Sequence, residues 1–336
     1  MNTVSPSPAA AASPRPVCVL GLGLIGGSLV RDLRGAGRPV FGWNRSQATV
    51  EAAAADGVDV SGDLVGTLRR AAEQDALLVL GVPVPALPSL LEAVAEHAPD
   101  CGLTDVVSVK GDVLSLVTDH GLAGRYVGGH PMAGTADSGW DATMCGLFRD
   151  AVWVVTHDNA RDDPAWVDVW RRVVEMAVAT GAVVVPAQTA AHDGAVARVS
   201  HLPHVLAEAL SVTADQGGAL ALSLAATSFR DGTRVAGTAP HLVQAMCENN
   251  REALVTALDE TLALLTSARD ALADPAGDLG QITRDGHDAR LRYEARAGRT
   301  REAPSARPLI RVRPGAPGWV GQLHYAETLG AQISIF

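Results

Sequence analysis

Apolar residues form short continuous runs in the first half of the chain and recur at helical spacing in the second. Six runs have the length of a strand and alternate with helical patterns between residues 17 and 186: "VCVL", "PVFGW", "ALLVLGV", "LTDVVSV", "AVWVVT" and "AVVVPA". Continuous apolar runs are typical of strands that are buried on both faces of a mainly parallel sheet. The pattern therefore predicts an α/β domain over residues 16–186.

From residue 187 the apolar positions keep a helical period and no strand pattern appears, which predicts an all-helical second domain over residues 187–285. Residues 286–307 are rich in Arg and Pro and predict a linker. The last segment, 308–336, shows the pattern strand, turn, helix, strand and is too short to form a domain alone. Residues 1–15 are expected to be a disordered tail.

Composition and charge exclude several classes of function. The chain has 336 residues, 47% of them hydrophobic, with a net charge of −10 and a pI near 5.4. An acidic protein is a poor partner for nucleic acid or an anionic membrane. The four cysteines are far apart and predict neither a disulfide framework nor a zinc site. No signal peptide and no membrane-spanning run is apparent, so we expect a cytoplasmic protein.

The first motif that carries chemistry is "VCVLGLGLIGGSL", in which Gly21, Gly23 and Gly26 form G-x-G-x-x-G between a strand and a helix. In this context the first glycine permits a tight turn, the second lets a pyrophosphate approach, and the third allows close packing of helix on strand. The motif predicts a Rossmann-type dinucleotide site. Its other expected members are the residues between the glycines and those after the third predicted strand: Leu22, Leu24, Ile25, Val82 and Pro83.

The end of the second strand indicates which dinucleotide binds. An NAD-binding fold usually places Asp or Glu here, against the ribose 2′-hydroxyl. This chain has Asn44, Arg45 and Ser46 instead, which removes a repelling carboxylate and adds a cation and a hydroxyl for a 2′-phosphate. We therefore expect NADP or NAD, with NADP favoured. The alternative is that Asn44 binds a ribose hydroxyl and Arg45 is solvated.

Two polar residues are expected to meet at the carboxyl edge of the sheet, where open α/β folds bind ligands. Ser108 lies in "SVKG" at the end of the fourth predicted strand, and His130 lies in "YVGGHPMAGTADSG" at the end of a later one. A histidine between Gly-Gly and Pro has a fixed backbone, which suits a general base. Taken alone, His130 reads more simply as a loop histidine bonded to a carbonyl.

Lys110 is the only lysine among the 27 basic residues of the chain. The simple interpretation is that one lysine survived by chance. The alternative hypothesis is that a compact ammonium donates to carbonyls or to a carboxylate of the "GGHPMAG" loop and so fixes His130, in a tetrahedral arrangement that a planar guanidinium cannot fit.

The helical domain contributes a cluster of histidines in "AAHDGAVARVSHLPH", namely His192, His201 and His204. His201, His204 and Glu208 have a spacing that metal ligands use, but no further ligands accompany them, and we expect no metal. The alternative is a polar wall of an interdomain cleft. Further on, "FRDGTRVAGTAP" places Arg230 and Arg234 in a predicted non-helical break. An arginine there can clamp a carboxylate, or be solvated or paired with Asp231.

Five stretches occur in order between residues 17 and 285: "GLGLIGGSL", "SVKG", "GGHPMAGTADSG", "HDGAVARVSHLPH" and "FRDGTRVAGTAP". Together they resemble the prephenate and arogenate dehydrogenases of tyrosine biosynthesis. The resemblance implies a two-domain subunit that dimerises through its helical domain. It also implies NAD(P)-dependent oxidative decarboxylation of prephenate to 4-hydroxyphenylpyruvate, or of arogenate to tyrosine.

The resemblance also assigns roles to residues. It implies that His130 is the catalytic histidine and that Ser108 is its partner at the nicotinamide. His192, His204 and Thr135 would contact the substrate, and Arg234 would anchor a carboxylate. One departure is that some members carry an acid directly after "HPxAGT", where this chain has Ala136 and then Asp137.

Two other functions stay open. A β-hydroxyacid dehydrogenase has a similar two-domain build but uses a lysine in the interdomain helical region, whereas Lys110 lies in the nucleotide domain. A regulator that senses NADP without turnover would not require His130 and Ser108 together. Residues 308–336 resemble the opening strand, helix and strand of an ACT regulatory domain, and we expect them to be loosely held and to lack a complete tyrosine-binding site.

Overall fold

The computed structural model describes residues 14–135, 137–297 and 307–336. The strands are β1 (Val17–Leu20), β2 (Val40–Trp43), β3 (Val60–Ser61), β4 (Leu77–Leu80), β5 (Leu103–Asp105), β6 (Tyr126–Val127), β7 (Gly129–Pro131), β8 (Val152–Thr156), β9 (Val183–Ala187), β10 (Leu309–Val312) and β11 (Gln332–Ile335). The helices are α1 (Leu24–Gly35), α2 (Gln47–Ala55), α3 (Leu64–Glu73), α4 (Leu87–His97), α5 (Gly111–Asp119), α6 (Pro164–Ala179), α7 (Thr189–Val196), α8 (Leu202–Gln216), α9 (Gly218–Ser223), α10 (Thr227–Thr233), α11 (Pro240–Glu248), α12 (Arg251–Ala273), α13 (Gly280–Ala297) and α14 (Trp319–Leu329).

Six strands form a parallel sheet in the order β3-β2-β1-β4-β5-β6, and an apolar cluster covers each face. This confirms the predicted Rossmann-type α/β fold followed by a helical region. The short β3 was not predicted, because a two-residue edge strand needs no apolar run. The strand that precedes Ser108 is therefore the fifth and not the fourth.

The last two predicted strands do not extend the parallel sheet. They form β8 and β9 of a separate three-stranded sheet, in which β7 runs antiparallel to β8. The chain passes from β6 to β7 through Gly128 alone, and a Cβ on Gly129 would lie 2.6 Å from the Asp105 carbonyl oxygen. His130 is consequently held within β7, opposite Val154, and does not stand at a strand end as predicted.

The helical region differs from the prediction at three places. A π-helical turn (Ala197–His201) joins α7 to α8 without a break, and Pro203 directly follows it, where the missing amide hydrogen of a proline disturbs regular α-helical bonding. The predicted break is itself helical, since Arg230 lies in α10 and Arg234 opens a 3₁₀ turn.

The third difference concerns the predicted linker over residues 286–307, because α13 continues through residue 297. This helix is polar, and an i,i+4 ion pair between Arg290 Nε and Glu294 Oε1, 2.8 Å apart, stabilises it. Residues 298–306 lie outside the described residues, as does Ala136.

The C-terminal segment has the predicted strand, helix, strand order, with β10 and β11 pairing in parallel. The expectation that it is loosely held is wrong. Trp319 is 1% exposed, and its ring centre lies 6.0 Å from that of Trp166 and 5.2 Å from that of Trp170 on α6. Burial of a tryptophan between aromatic rings is a large apolar contribution, so the segment docks as part of the main core.

The N-terminal end of the described chain is tied to the fold by ion pairs. Residues 1–13 of the predicted tail lie outside the described residues, while Arg15 forms ion pairs with Asp75 and Asp168 at 2.8 Å and 2.7 Å.

Within the described ranges, none of the helices has both the length and the hydropathy that crossing a bilayer requires.

Candidate active site

The glycine-rich loop has the shape of a pyrophosphate cradle. Gly21 has a φ of 111°, and a Cβ there would lie 2.5 Å from the Gly81 carbonyl oxygen. A Cβ on Gly26 would lie 2.0 Å from the Gly21 carbonyl oxygen, so both glycines are required by the fold itself. A Cβ on Gly23 would meet no protein atom within 4 Å. The backbone at Gly23 therefore faces open space, as a site for a dinucleotide requires.

A cavity of about 480 Å³ opens beside this loop. Its lining includes most of the predicted cofactor residues: Gly21, Gly23, Asn44, Arg45, Val82 and Pro83. Leu22 and Leu24 are buried beneath the loop, and Ile25 is half-buried near Gly134. The residues present fit a bound NAD(P).

The three residues after β2 have separate tasks. The side-chain oxygen of Asn44 accepts a hydrogen bond from the Leu22 backbone N–H at 3.2 Å, which fixes the glycine-rich loop. The hydroxyl of Ser46 accepts from the Thr49 backbone N–H at 3.3 Å and so caps α2. Arg45 is exposed at the edge of the cavity.

A chain of hydrogen bonds joins His130 to the helical region. His130 Nδ1 lies 2.8 Å from His192 Nε2, and His192 Nδ1 lies 2.7 Å from Asp193 Oδ1. Asp193 also accepts from the backbone N–H groups of Lys110 and Gly111, at 2.9 Å and 2.8 Å. The carboxylate thus caps α5 and orients His192 at the same time.

The electrostatics of this chain keep its two ends in different charge states. Burial lowers the pKa of His130 well below 6.5, and His192 and Lys110 lower it further. Burial raises the pKa of Asp193, but the hydrogen bonds from His192, Lys110 and Gly111 outweigh burial and bring the pKa below its ordinary value. At neutral pH the site therefore contains an ionised Asp193 and a neutral His130.

Lys110 is 0% exposed and its ammonium lies beneath the strand that carries His130. It donates to the Gly129 carbonyl at 2.7 Å and to Asp105 Oδ1. Asp105 Oδ2 accepts from the Tyr126 hydroxyl at 2.5 Å and from the Gly129 N–H at 3.3 Å. Burial lowers the pKa of Lys110, and the Asp105 carboxylate opposes that shift. Lys110 and Asp105 together hold both backbone polar groups of Gly129, the residue before His130.

The remaining predicted site residues lie outside the hydrogen-bonded chain of Asp193, His192 and His130. Ser108 is half-buried in the loop between β5 and α5. Thr135 is exposed, and its hydroxyl pairs with the Asp137 carboxylate at 3.1 Å. His204 lies in the first turn of α8, and its Nδ1 is buried without a hydrogen-bond partner among the described residues. Arg234 is exposed on the 3₁₀ turn that follows α10.

His201 does not join His204 and Glu208 in a ligand set. It is buried, its Nδ1 lies 3.2 Å from the Asn250 side-chain nitrogen, and Asn250 also donates to the Asp193 carbonyl at 2.9 Å. Burial lowers the pKa of His201 to about 4. At neutral pH His201 is uncharged, and Asn250 connects it to Asp193, the residue after His192.

Sequence reasoning missed Asp105, Tyr126, Asp193 and Asn250. Two signals were available for the acids: Asp105 is a carboxylate inside a buried apolar run, and Asp193 directly follows His192. No local signal marks Tyr126 or Asn250, whose roles depend on partners distant in the chain.

A glycine-rich pyrophosphate cradle at the edge of a parallel sheet and a neutral buried histidine in a hydrogen-bonded chain are together typical of a dinucleotide-dependent oxidoreductase. Two family models match the chain: the prephenate dehydrogenase nucleotide-binding domain over residues 29–185 and the prephenate dehydrogenase dimerization domain over residues 188–283. The chain belongs to the prephenate dehydrogenase family, whose members are NAD(P)-dependent oxidoreductases.

Individual relatives agree with this assignment. A cyclohexadienyl dehydrogenase of Zymomonas mobilis is 30% identical over 78% of this chain and 90% of its own length. The chain spans 66% of a Bacillus subtilis prephenate dehydrogenase and 60% of one from Lactococcus lactis, each 30% identical to it.

Solved structures share the fold as well. A Corynebacterium glutamicum protein provisionally described as a prephenate dehydrogenase has 55% identity and a TM-score of 0.90, over 96% of this chain and 99% of its own. The arogenate dehydrogenase of Synechocystis has 32% identity and a TM-score of 0.71, over 83% of this chain and 99% of its own.

Proposed function

We propose that this chain oxidises and decarboxylates a cyclohexadienyl substrate, either prephenate or arogenate, with His130 as general base. The observation that carries the proposal is the hydrogen-bonded chain from Asp193 through His192 to His130. The residues around Gly21, Gly23 and Arg45 would hold the dinucleotide, which would supply the acceptor for the hydride that leaves the ring carbon bearing the hydroxyl. Loss of carbon dioxide from the opposite ring position then aromatises the product.

The chain of hydrogen bonds supports His130 Nε2 as the nitrogen that acts as the base. An ionised Asp193 only accepts, so His192 carries its proton on Nδ1 and presents a lone pair at Nε2. That lone pair accepts from His130 Nδ1, which leaves the Nε2 lone pair of His130 free. His130 is therefore held in the one tautomer that can receive the hydroxyl proton of the substrate at Nε2.

The substrate carries carboxylates, so an acidic protein must hold it with local cations. Arg234 is exposed on the 3₁₀ turn beside α8 and is free to form a bidentate contact with a side-chain carboxylate. His204, near the start of α8, offers a ring whose Nδ1 has no hydrogen-bond partner among the described residues. Ser108 and Thr135 complete the proposed set, from the loops that precede α5 and follow β7.

We further propose that NADP is used at least as well as NAD. Support comes from the amide of Asn44, where NAD-binding folds usually have an acid, and from the exposed cation of Arg45 at the cavity edge.

We also propose a cytoplasmic homodimer that assembles through the helical domain, since residues 188–283 match a dimerization domain and expose many large apolar side chains.

The experiment that tests the function is turnover of prephenate and of arogenate, each with NAD and with NADP, followed by absorbance of the reduced nicotinamide. We expect turnover of at least one substrate. The variant His130→Asn should retain cofactor binding and lose turnover by on the order of 10²–10⁴, as for loss of a general base. Dinucleotide binding with no turnover of either substrate would favour a non-catalytic sensor, and a preference for NAD of about tenfold or more (~1.4 kcal/mol) would refute the reading of Arg45.

A further inference from the structure

Three potential metal ligands converge where the C-terminal segment docks, and none of them belongs to the hydrogen-bonded chain of His130, His192 and Asp193. His157 directly follows β8, while His324 and Glu327 lie one turn apart on α14. One ligand atom from each lies within 4.8 Å of the other two. Among the described residues, no other group of three His, Cys, Asp or Glu side chains brings its ligand atoms this close together. The sequence alone does not predict the group, because His157 is distant along the chain from the His324 and Glu327 pair on α14.

The spacing of the three side chains is close to that of a tetrahedral site. The imidazole ring centres of His157 and His324 lie 4.9 Å apart at an interplanar angle of 84°. Two imidazoles on one zinc ion, with Zn–N of about 2.0–2.1 Å, place their ring centres roughly 5 Å apart. His157 Nε2 and Glu327 Oε2 are 2.8 Å apart, so the imidazole and the carboxylate are close enough to share one ion.

The surroundings fix two of the ligands and leave the third accessible. The side chain of His157 is 0% exposed and that of Glu327 is 20% exposed, whereas His324 is exposed and gives an ion a path of entry. The Gln188 backbone N–H donates to Glu327 Oε2 at 3.0 Å, which orients the carboxylate and leaves Oε1 for coordination. His157 Nδ1 has no hydrogen-bond partner in the described part of the chain, so the one polar contact of the ring is the bond from Nε2 to Glu327, and an ion would replace the proton of that bond.

We propose that His157, His324 and Glu327 bind one divalent transition-metal ion, with Zn²⁺ the best match. Two imidazoles and one carboxylate are a ligand set that Zn²⁺ takes with water in the fourth position. Hard cations such as Mg²⁺ prefer oxygen ligands and fit poorly. Gln188 directly precedes α7, the helix of His192. The ion would therefore link the C-terminal segment to the element that carries an active-site histidine.

The test is titration of metal-free protein with Zn²⁺ by calorimetry and with Co²⁺ by visible absorption. We expect the wild type to bind one equivalent at this site, to show the intense Co²⁺ bands of four-coordinate geometry and to gain thermal stability with Zn²⁺. The variants His324→Ala and Glu327→Gln should each lose that equivalent, the bands and the stabilisation. His287→Ala removes an exposed histidine from α13 and is the matched control, which should behave as wild type.

Other histidines of the chain can also attract Zn²⁺, so the variants decide the location. His324 is exposed, and its replacement should leave the fold unchanged by circular dichroism. Co²⁺ bands of equal intensity in wild type and His324→Ala would overturn the proposal, as would a wild type that binds no equivalent of either metal. Equal stabilisation of wild type and Glu327→Gln by Zn²⁺ would also overturn it.

Discussion

The replacement Lys110→Arg tests whether the lone lysine positions His130. The ammonium of Lys110 donates to the Gly129 carbonyl at 2.7 Å and to Asp105, and the side chain is 0% exposed. A guanidinium keeps the charge but is larger and planar, so it cannot fit the same space without moving its neighbours. Overpacking of this kind costs about 1–3 kcal/mol of unfolding free energy.

The effect on turnover should exceed the effect on stability. Gly129 is the residue before His130, and both of its backbone polar groups are held by Lys110 and Asp105. A shift of the base by about 1 Å can lower turnover by about 100-fold. We expect a loss of that size in kcat, with little change in the KM for the dinucleotide, because the cradle around Gly23 is not involved.

Tyr126→Phe is the matched control. It removes a hydrogen bond of 2.5 Å to the same Asp105 carboxylate but leaves the Lys110 contact with Gly129 in place. Loss of a hydrogen bond to a charged group costs about 1.5–3 kcal/mol, so the two variants should be similarly destabilised. Steady-state kinetics well below both melting temperatures then separate stability from positioning. Wild-type kcat in Lys110→Arg, or an equal loss of kcat in Tyr126→Phe, would refute the reasoning.

Three further predictions concern the rest of the site. Asp193→Asn should lower kcat by on the order of 10²–10⁴ without weakening dinucleotide binding, because an amide cannot accept from His192, Lys110 and Gly111 together; unchanged kcat would contradict this. The acid limb of kcat/KM should lie below pH 6.5, since a base with a lowered pKa stays neutral as the pH falls through that value; a limb at or above pH 6.5 would show that His130 is not the titrating base. Arg234→Ala should raise the KM for substrate by roughly 10- to 100-fold and affect kcat less, with the exposed Arg230→Ala as control; equal effects of the two would remove Arg234 from the substrate site.

The sequence alone predicted the dinucleotide-binding motif of the nucleotide half and the alternation of strands and helices around it. Continuous apolar runs and the glycine spacing depend on local chain geometry, so β1, α1 and the cradle at Gly21, Gly23 and Gly26 follow from neighbouring residues. The same holds for the helical periodicity after residue 187 and for the strand, helix, strand order of the C-terminal segment. In each case the signal lies within a window of a few turns.

Tertiary structure decided which of these pieces meet. Apolar runs do not say which sheet a strand joins, so the separate sheet of β7, β8 and β9 could not be predicted, and nor could the docking of Trp319 against α6. The partners of the functional groups are also long-range, as in the bond of His130 to His192 and the capping of α5 by Asp193. Lys110 shows the division most clearly. The sequence shows that Lys110 is the only lysine and so suggests a specific role for it. Only the fold brings the Gly129 carbonyl to its ammonium, because that contact depends on how β5 packs against β7.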